Sequence, residues 1–188
     1  MEIENEITVK VNISKKELLK FLKNNNYKKI DSFIMDDIYY VEKDKDLDVN
    51  PLEILKKYIL IRSINNKKHY LMYKYKEYDE NENIINQGKS KVQVTNKKAA
   101  EKFLNIVGYK ELIKVNDYIE IYEKDELQIC VQYVNRKYLF IEIEENEKYD
   151  SIKKLIEILD KTKINYDKSN YFVNKAKVIF EEKYRNEI

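Results

Sequence analysis

Short segments that alternate polar with apolar residues constrain the fold of this chain more than any other feature. In the segment ENEITVK at 4–10, Ile7 and Val9 fall on one face of a strand and the polar side chains on the other, because successive residues of a strand point to opposite sides. The same alternation returns at residues 59–62, 73–76 and 141–144. The pattern predicts a sheet with one charged face and one apolar face.

Helices are predicted between these strands. Ser14 and Glu17 form a capping-box signature at the start of a helix over 14–24. Further helices are predicted at 96–107, 150–161 and 169–185. Strands are predicted at 4–10, 30–41, 58–64, 68–78, 87–94, 112–123, 126–133 and 138–145. This order predicts a single antiparallel α+β domain over residues 1–188, with a helical C-terminal segment at about 150–188.

The composition argues against several classes of protein. Lys and Arg number 36 and Asp and Glu number 34, so the net charge of +2 argues against a nucleic-acid partner. Cys130 is the only cysteine, which excludes an internal disulfide. No run approaches the roughly 20 apolar residues of a membrane span, and the chain opens on a charged strand rather than a secretion signal. We therefore expect a cytoplasmic protein without a membrane partner, whose oligomeric state the sequence does not indicate.

Closure of the eight strands would give their charged faces a common interior. The polar side chains would then line a tunnel and the apolar faces would carry the helices outside, the reverse of an ordinary small barrel. We expect an antiparallel eight-stranded closed β-barrel with helices packed outside, and an open sheet is the alternative. A tunnel of this kind suits a highly charged ligand together with a metal ion.

The order of the motifs resembles the CYTH, or triphosphate tunnel metalloenzyme, superfamily. In that family a Glu-x-Glu-x-Lys strand, a helix and an Asp-x-Tyr segment follow one another, and Asp37-Ile38-Tyr39 is similar to the last of these. Next come an Arg-x-Arg strand and a Tyr-x-x-x-Lys strand, which resemble LIR at 60–62 and YLMYK at 70–74. The most specific match is FIEIE at 140–144, where the family has Phe-hydrophobic-Glu-hydrophobic-Glu. The resemblance extends to about Tyr171.

The first strand matches the family motif in two registers. Measured from the following helix, the motif is Glu6-x-Thr8-x-Lys10, and a hydroxyl replaces the second carboxylate. A register that starts at Glu4 restores two acids but leaves Thr8 where the family has Lys.

Other motifs depart from the family as well. LIR keeps one arginine of the family's pair, and KSKVQ at 89–93 stands where the family places a basic residue followed by metal-binding acids. The segment KVN at 114–116 replaces Lys-x-Arg, and Gln132 replaces a common Asp.

The resemblance implies a metal-dependent hydrolase of a triphosphate, either inorganic tripolyphosphate or an organic compound such as thiamine triphosphate. Carboxylates would hold Mg²⁺ or Mn²⁺, basic side chains would bind the phosphate chain, and a positioned water would attack the terminal phosphorus. The metal candidates are Glu4, Glu6, Glu142 and Glu144. The phosphate candidates are Lys10, Arg62, Lys74, Lys89, Lys91 and Lys114. No side chain is assigned as the catalytic group.

Two alternatives stay open beside hydrolysis. Lys91 and Gln93 in place of acids add positive charge and remove metal ligands, so the chain could bind a triphosphate, polyphosphate or nucleotide without catalysis. A class IV-like adenylate cyclase would use the same tunnel and direct the ribose 3′-hydroxyl at the α-phosphate. A single alternating strand most often shows its charged face to water, whereas the ordered set favours a site. We expect a small-molecule triphosphate or nucleotide as partner, and enzymatic activity is left open.

Overall fold

The structure is a computed structural model of the 188-residue chain and describes residues 5–80 and 84–185, with only the backbone described at 84, 85 and 87. The strands are β1 (Glu6–Lys10), β2 (Lys28–Glu42), β3 (Lys57–Ile64), β4 (Lys68–Tyr78), β5 (Ile84–Val94), β6 (Tyr109–Lys124), β7 (Leu127–Val134) and β8 (Tyr138–Glu144). The helices are α1 (Lys15–Asn24), α2 (Pro51–Ile54), α3 (Lys97–Ile106), α4 (Ile152–Thr162) and α5 (Lys175–Tyr184).

All eight strands belong to one sheet, in the order β1-β8-β7-β6-β2-β3-β4-β5. The predicted α+β class and the eight-stranded antiparallel sheet are confirmed. The predicted closure is wrong, because β1 and β5 stand at the two ends of this order and no strand pairing joins them within residues 5–80 and 84–185. The sheet is therefore not closed into a barrel by hydrogen bonds.

The outer edge of β1 pairs with the chain that follows α4. The Thr8 N–H donates to the Tyr171 carbonyl at 2.9 Å, and the Val173 N–H donates to the Thr8 carbonyl at 2.9 Å. The Asp167 N–H likewise donates to the Lys10 carbonyl at 2.8 Å. A buried backbone group needs one partner, and these groups of β1 already have theirs. Residues 165–173 thus cover the edge that closure would have used.

The chain divides into two compact units, and neither is continuous in sequence. The first unit contains residues 34–116 and 174–185 of the described chain, and the second contains residues 5–33 and 117–173. Both β2 and β6 pass from one unit to the other. The prediction of one domain over 1–188 stays a prediction.

In the second unit, the apolar face of the strands packs against α1 and α4. Ile7 and Val9 are buried on β1, as the alternation predicted, and they share a core with buried residues of both helices. The other buried members include Leu18, Leu22, Ile129, Val131, Ile141, Ile143, Leu155 and Leu159. The N-terminus of α1 is held by the predicted capping box, in which the Ser14 N–H donates to Glu17 Oε2 at 2.8 Å and the Glu17 N–H donates to Ser14 Oγ at 3.3 Å.

In the first unit, α3 covers the corresponding apolar face. Ile38, Tyr40 and Ile61 pack there with Leu104 of α3. Helix α3 begins after Asn96, whose side chain accepts a hydrogen bond from the Ala99 N–H at 3.0 Å. The face opposite this core is the one that carries Arg62, because neighbouring residues of a strand alternate.

The helices differ from the prediction at two places. Helix α5 begins at Lys175 rather than at 169, since Asn174 is its N-cap and accepts hydrogen bonds from two backbone N–H groups at 3.1 and 3.3 Å. Helix α2 was not predicted; it is four residues long and starts after Asn50, whose side chain accepts from the Leu52 N–H at 2.9 Å. Within the described chain, no helix combines the length and the apolar character that crossing a membrane requires.

Candidate functional site

Three carboxylates of the second unit lie close enough to share one cation. One oxygen from each of Glu6, Glu142 and Glu144 lies within 4.8 Å of the others. The antiparallel register places Glu6 of β1 opposite Glu144 of β8, and Glu142 lies on the same face two residues earlier. Glu6 and Glu142 are half-buried, whereas Glu144 is exposed. The alternation in FIEIE therefore brings the two β8 acids to the strand that carries Glu6.

The rest of the first-strand motif lies beside these acids. Thr8 is buried opposite Glu142, and its hydroxyl donates a hydrogen bond to Glu142 Oε2 at 3.3 Å. Lys10 is exposed at the end of β1, on the same face and opposite Phe140. Glu4 lies outside the described residues. Glu6, Thr8 and Lys10 thus share one face of β1, as in the register in which a hydroxyl replaces the second acid.

The carboxylate trio fits a small divalent cation. Mg²⁺ and Mn²⁺ favour oxygen ligands, and carboxylates are among the commonest of these in proteins. Two ligands on opposite sides of an octahedral ion stand roughly 4.2 Å apart, twice the usual metal–oxygen distance. The three oxygens, which lie within 4.8 Å of one another, are close to that spacing. Waters or a ligand's oxygens would complete the coordination shell.

A basic face forms in the first unit. Arg62 of β3 stands opposite Tyr70 of β4, and Lys74 follows on the same face of β4. Lys74 in turn stands opposite Lys89 of β5, and Lys91 follows Lys89 two residues later. Lys74 and Lys89 are half-buried and Lys91 is exposed. Four of the predicted phosphate-binding residues therefore share one face of one unit.

Arg62 is held by a carboxylate on the neighbouring strand. Asp37 stands directly opposite Arg62 in the β2–β3 register. Arg62 Nε donates to Asp37 Oδ1 at 2.8 Å and Nη2 donates to Asp37 Oδ2 at 2.6 Å, which is a bidentate ion pair. The side chain of Asp37 is 3% exposed and that of Arg62 is 22% exposed. Burial disfavours the charged guanidinium, but the Asp37 carboxylate outweighs burial and raises the pKa of Arg62.

Two tyrosine rings lie beside this ion pair. Tyr39 follows Asp37 on the same face of β2, and its ring centroid lies 5.0 Å from that of Tyr58 on β3. Tyr58 is buried, and this burial raises the pKa of its phenol well above the usual value. The Asp37 carboxylate acts in the same direction on Tyr58 and Arg62 acts in the opposite direction, so both charges are close to that phenol. The surroundings of the ion pair are therefore poor in water.

Lys114 lies in β6, two residues before Asn116. The amide of Asn116 donates to Asp36 Oδ1 at 2.5 Å, and Asp36 alternates with Asp37 along β2. Asn116 is therefore on the face opposite Arg62. The Lys114 side chain is 65% exposed and pairs with Glu111 at 3.2 Å. The role of Lys114 in phosphate binding stays a prediction.

The structure thus assembles two sets of predicted residues, one in each unit. The acids Glu6, Glu142 and Glu144 are together in the second unit, with Lys10 on the same strand face. Asp37 is the site residue that sequence reasoning missed, although it belongs to the Asp-x-Tyr segment that carried part of the resemblance. That motif was the available signal for Asp37, but nothing in the sequence connects it with Arg62.

Comparison with known proteins supports the architecture. A protein from Pyrococcus horikoshii, PH1819, superimposes with a TM-score of 0.68 at 20% identity, covering 95% of this chain and 99% of its own. A "putative adenylate cyclase" from Vibrio parahaemolyticus gives a TM-score of 0.66 at 14% identity, with 96% and 98% of the two chains covered. Another "putative adenylate cyclase", from Bacillus halodurans, gives 0.64 at 15% identity, with 96% and 100% covered. The chain shares the fold of these proteins. No protein-family model matches the chain, and no curated protein matches its sequence.

Proposed function

We propose that the protein binds a triphosphate together with Mg²⁺ or Mn²⁺ and hydrolyses it. The observation that carries the proposal is the carboxylate trio of Glu6, Glu142 and Glu144, whose oxygens lie within 4.8 Å of one another. Glu6 and Glu144 come from different strands and meet through the register, so the cluster is set by the fold rather than by local sequence. The order of motifs that resembles the CYTH superfamily also supports it.

We assign one role to each unit taken by itself: the trio of the second unit would hold the cation, and the basic face of the first unit would bind phosphate oxygens. A bound divalent ion supplies positive charge to phosphate oxygens and orients the attacking water. Arg62 presents a planar fork that matches phosphate geometry, whereas Lys74, Lys89 and Lys91 act as point charges. Lys114 is exposed and pairs with Glu111, and its part in phosphate binding stays a prediction. Phosphoryl transfer of this kind depends on positioning and charge stabilisation.

Binding without hydrolysis is the second candidate, and the composition of β5 favours it. Lys91 and Gln93 stand where the resemblance leads us to expect acids after the basic residue, so these positions of β5 supply no carboxylate. A site with fewer carboxylates binds a hard cation less tightly. Adenylate cyclisation is a third candidate, supported by the fold that this chain shares with two proteins named "putative adenylate cyclase".

One incubation separates the three candidates. Purified protein is incubated with tripolyphosphate or ATP, with Mg²⁺, with Mn²⁺ and with EDTA, and orthophosphate, pyrophosphate and cyclic AMP are measured. Metal-dependent orthophosphate release supports hydrolysis, and cyclic AMP with pyrophosphate supports cyclisation. Binding by calorimetry without any product supports the binding candidate. Absence of both binding and turnover would refute all three.

Variants of the trio connect the result to the proposed metal ligands. Glu142→Gln combined with Glu144→Gln keeps the side-chain shapes but removes two anionic ligands, so we expect Mn²⁺ affinity to fall at least about tenfold. Glu147→Gln combined with Glu157→Gln is the matched control, because both residues are exposed in the same unit and outside the trio. Equal Mn²⁺ affinity of the two double variants would contradict the assignment.

A further inference from the structure

We propose that Asp37 is a positioning residue that holds Arg62 in the orientation needed to bind a phosphate group. The inference rests on the proposed triphosphate function and adds a residue to that site. Its basis is the bidentate contact in which Arg62 Nε and Nη2 donate to the two Asp37 oxygens at 2.8 and 2.6 Å. Asp37 would not itself touch the phosphate, since it would act through the arginine.

The contact with Asp37 does not use the end of the Arg62 guanidinium that would bind a phosphate. A guanidinium has five N–H donors, and Asp37 engages two of them along the Nε edge. The three donors that are left belong to Nη1 and Nη2, and Nη1 with Nη2 forms a fork that matches two oxygens of one phosphate. Asp37 therefore fixes one edge of Arg62 and leaves the other edge directed away from itself.

Burial makes this arrangement rigid. Asp37 is 3% exposed, so water cannot readily replace Arg62 as its partner. Strands β2 and β3 place the two side chains directly opposite each other, and Tyr39, whose ring contacts that of Tyr58, follows Asp37 on the same face of β2. An arginine fixed in this way loses less conformational freedom when it binds an anion than a solvated one does. Pre-organisation is the physical basis of the proposed role.

A competing expectation predicts the opposite effect of Asp37 on phosphate affinity. Asp37 carries a negative charge next to Arg62, so it could compete with phosphate for the guanidinium and weaken anion binding. Under that expectation, Asp37→Asn would tighten binding. Under the positioning role it would loosen binding, because Arg62 would lose the partner that fixes its orientation.

The experiment measures tripolyphosphate affinity by calorimetry in the full chain. We expect Asp37→Asn to weaken binding about tenfold, an effect typical of one charge-assisted contact. In an Arg62→Gln background the same change should alter affinity by less than about twofold, because Asp37 would have no arginine to position. Asp36→Asn is the matched control: it removes an identical charge one residue away, where Asp36 contacts Asn116 on the opposite face of β2. It should leave affinity unchanged.

A spectroscopic readout in the unaltered protein covers the case in which Asp37→Asn fails to fold. The Nε–H proton of Arg62 should give a slowly exchanging NMR signal, assigned by its loss in Arg62→Gln, that persists when tripolyphosphate saturates the protein. Loss of that signal on saturation would mean that phosphate displaces Asp37, and it would overturn the inference.

The outcomes separate the inference from the proposed function. If the unaltered protein does not bind tripolyphosphate with or without metal, the proposed function fails and the inference fails with it. If the protein binds and Asp37→Asn binds equally well or more tightly, only the positioning role is overturned. Asp37→Asn could also lower tripolyphosphate affinity equally in the unaltered protein and in the Arg62→Gln variant. That result would overturn the positioning role too, because a merely structural effect does not depend on Arg62.

Discussion

Removal of Arg62 should destabilise the protein through the carboxylate that it leaves behind. Arg62→Ala would leave the Asp37 carboxylate, which is 3% exposed, without its arginine partner and opposite a methyl group. Breaking a buried ion pair by removing one partner costs about 3–5 kcal/mol. Arg62 keeps 22% of its side-chain surface exposed, so its contact with Asp37 is only partly desolvated and we expect the lower end, about 3 kcal/mol.

Urea unfolding followed by circular dichroism measures this loss. With a slope of about 2 kcal/mol per molar urea, a loss of about 3 kcal/mol lowers the midpoint by about 1.5 M. The double variant Asp37→Asn with Arg62→Ala should regain about 1 kcal/mol or more, because it no longer buries an unpaired charge. Lys148→Ala is the control, since the Lys148–Glu126 pair is 53% and 75% exposed and should leave the urea midpoint almost unchanged.

Two results would refute this reasoning. A loss below about 1 kcal/mol in Arg62→Ala would mean that Asp37 is solvated or finds another partner. A double variant that is no more stable than Arg62→Ala would mean that the unpaired Asp37 charge is not the cause of the lost stability. Either result would remove the electrostatic basis for treating Asp37 and Arg62 as one unit.

Further predictions concern the cap of α1, the edge of β1 and a buried phenol. Ser14→Ala should cost about 1 kcal/mol in urea unfolding, because it removes the capping box, and an unchanged midpoint would contradict this. Val173→Pro should remove the N–H that donates to the Thr8 carbonyl and speed hydrogen exchange at the Thr8 amide, whereas unaltered exchange would show that this edge is held by other contacts. Burial, together with the charges of Glu101 and Glu111, raises the pKa of Tyr40 from 10.0 to about 12. A raised pKa means that the folded state favours the neutral phenol. The contribution of this phenol to the free energy of unfolding is therefore fully present below pH 10 and is lost as the pH rises towards about 12. Tyr40→Phe should therefore lose less stability than the unaltered protein over that interval, by about 1 kcal/mol once solvent screening is allowed for, and parallel losses would contradict the shift.

Local signals predicted most of the secondary structure. The capping box of Ser14 and Glu17 predicted α1 because both partners lie within one turn. Residue alternation predicted the strands and the shared face of Glu142 and Glu144, since the side-chain period of a strand needs no information from elsewhere in the chain. The four-residue helix α2 was missed because it is too short to show a periodic pattern.

Long-range pairing could not be predicted in the same way. Sheet closure failed as a prediction because residues 165–173 cover the edge of β1, and neither segment carries a local signal for that pairing. Simple alternation also fails along part of β6. Tyr109 packs with the Ile38 core, and Asn116 contacts Asp36 on that same face, although seven positions separate the two and unbroken alternation would place them on opposite faces.

The ion pair of Asp37 with Arg62 shows the same limit within the candidate site. The two residues are 25 positions apart, and only the β2–β3 register brings them together. The sequence indicated an arginine on a polar strand face, but it could not indicate that a buried carboxylate already binds two of its donors.

The most direct test of the proposed function is tripolyphosphate binding and phosphate release by one purified sample, with Mg²⁺, with Mn²⁺ and with EDTA. We expect tight binding, and we expect orthophosphate release that requires the metal and is abolished by Glu142→Gln combined with Glu144→Gln. Binding without release would retain the phosphate site and contradict hydrolysis, whereas failure to bind in the presence of either metal would contradict the account itself.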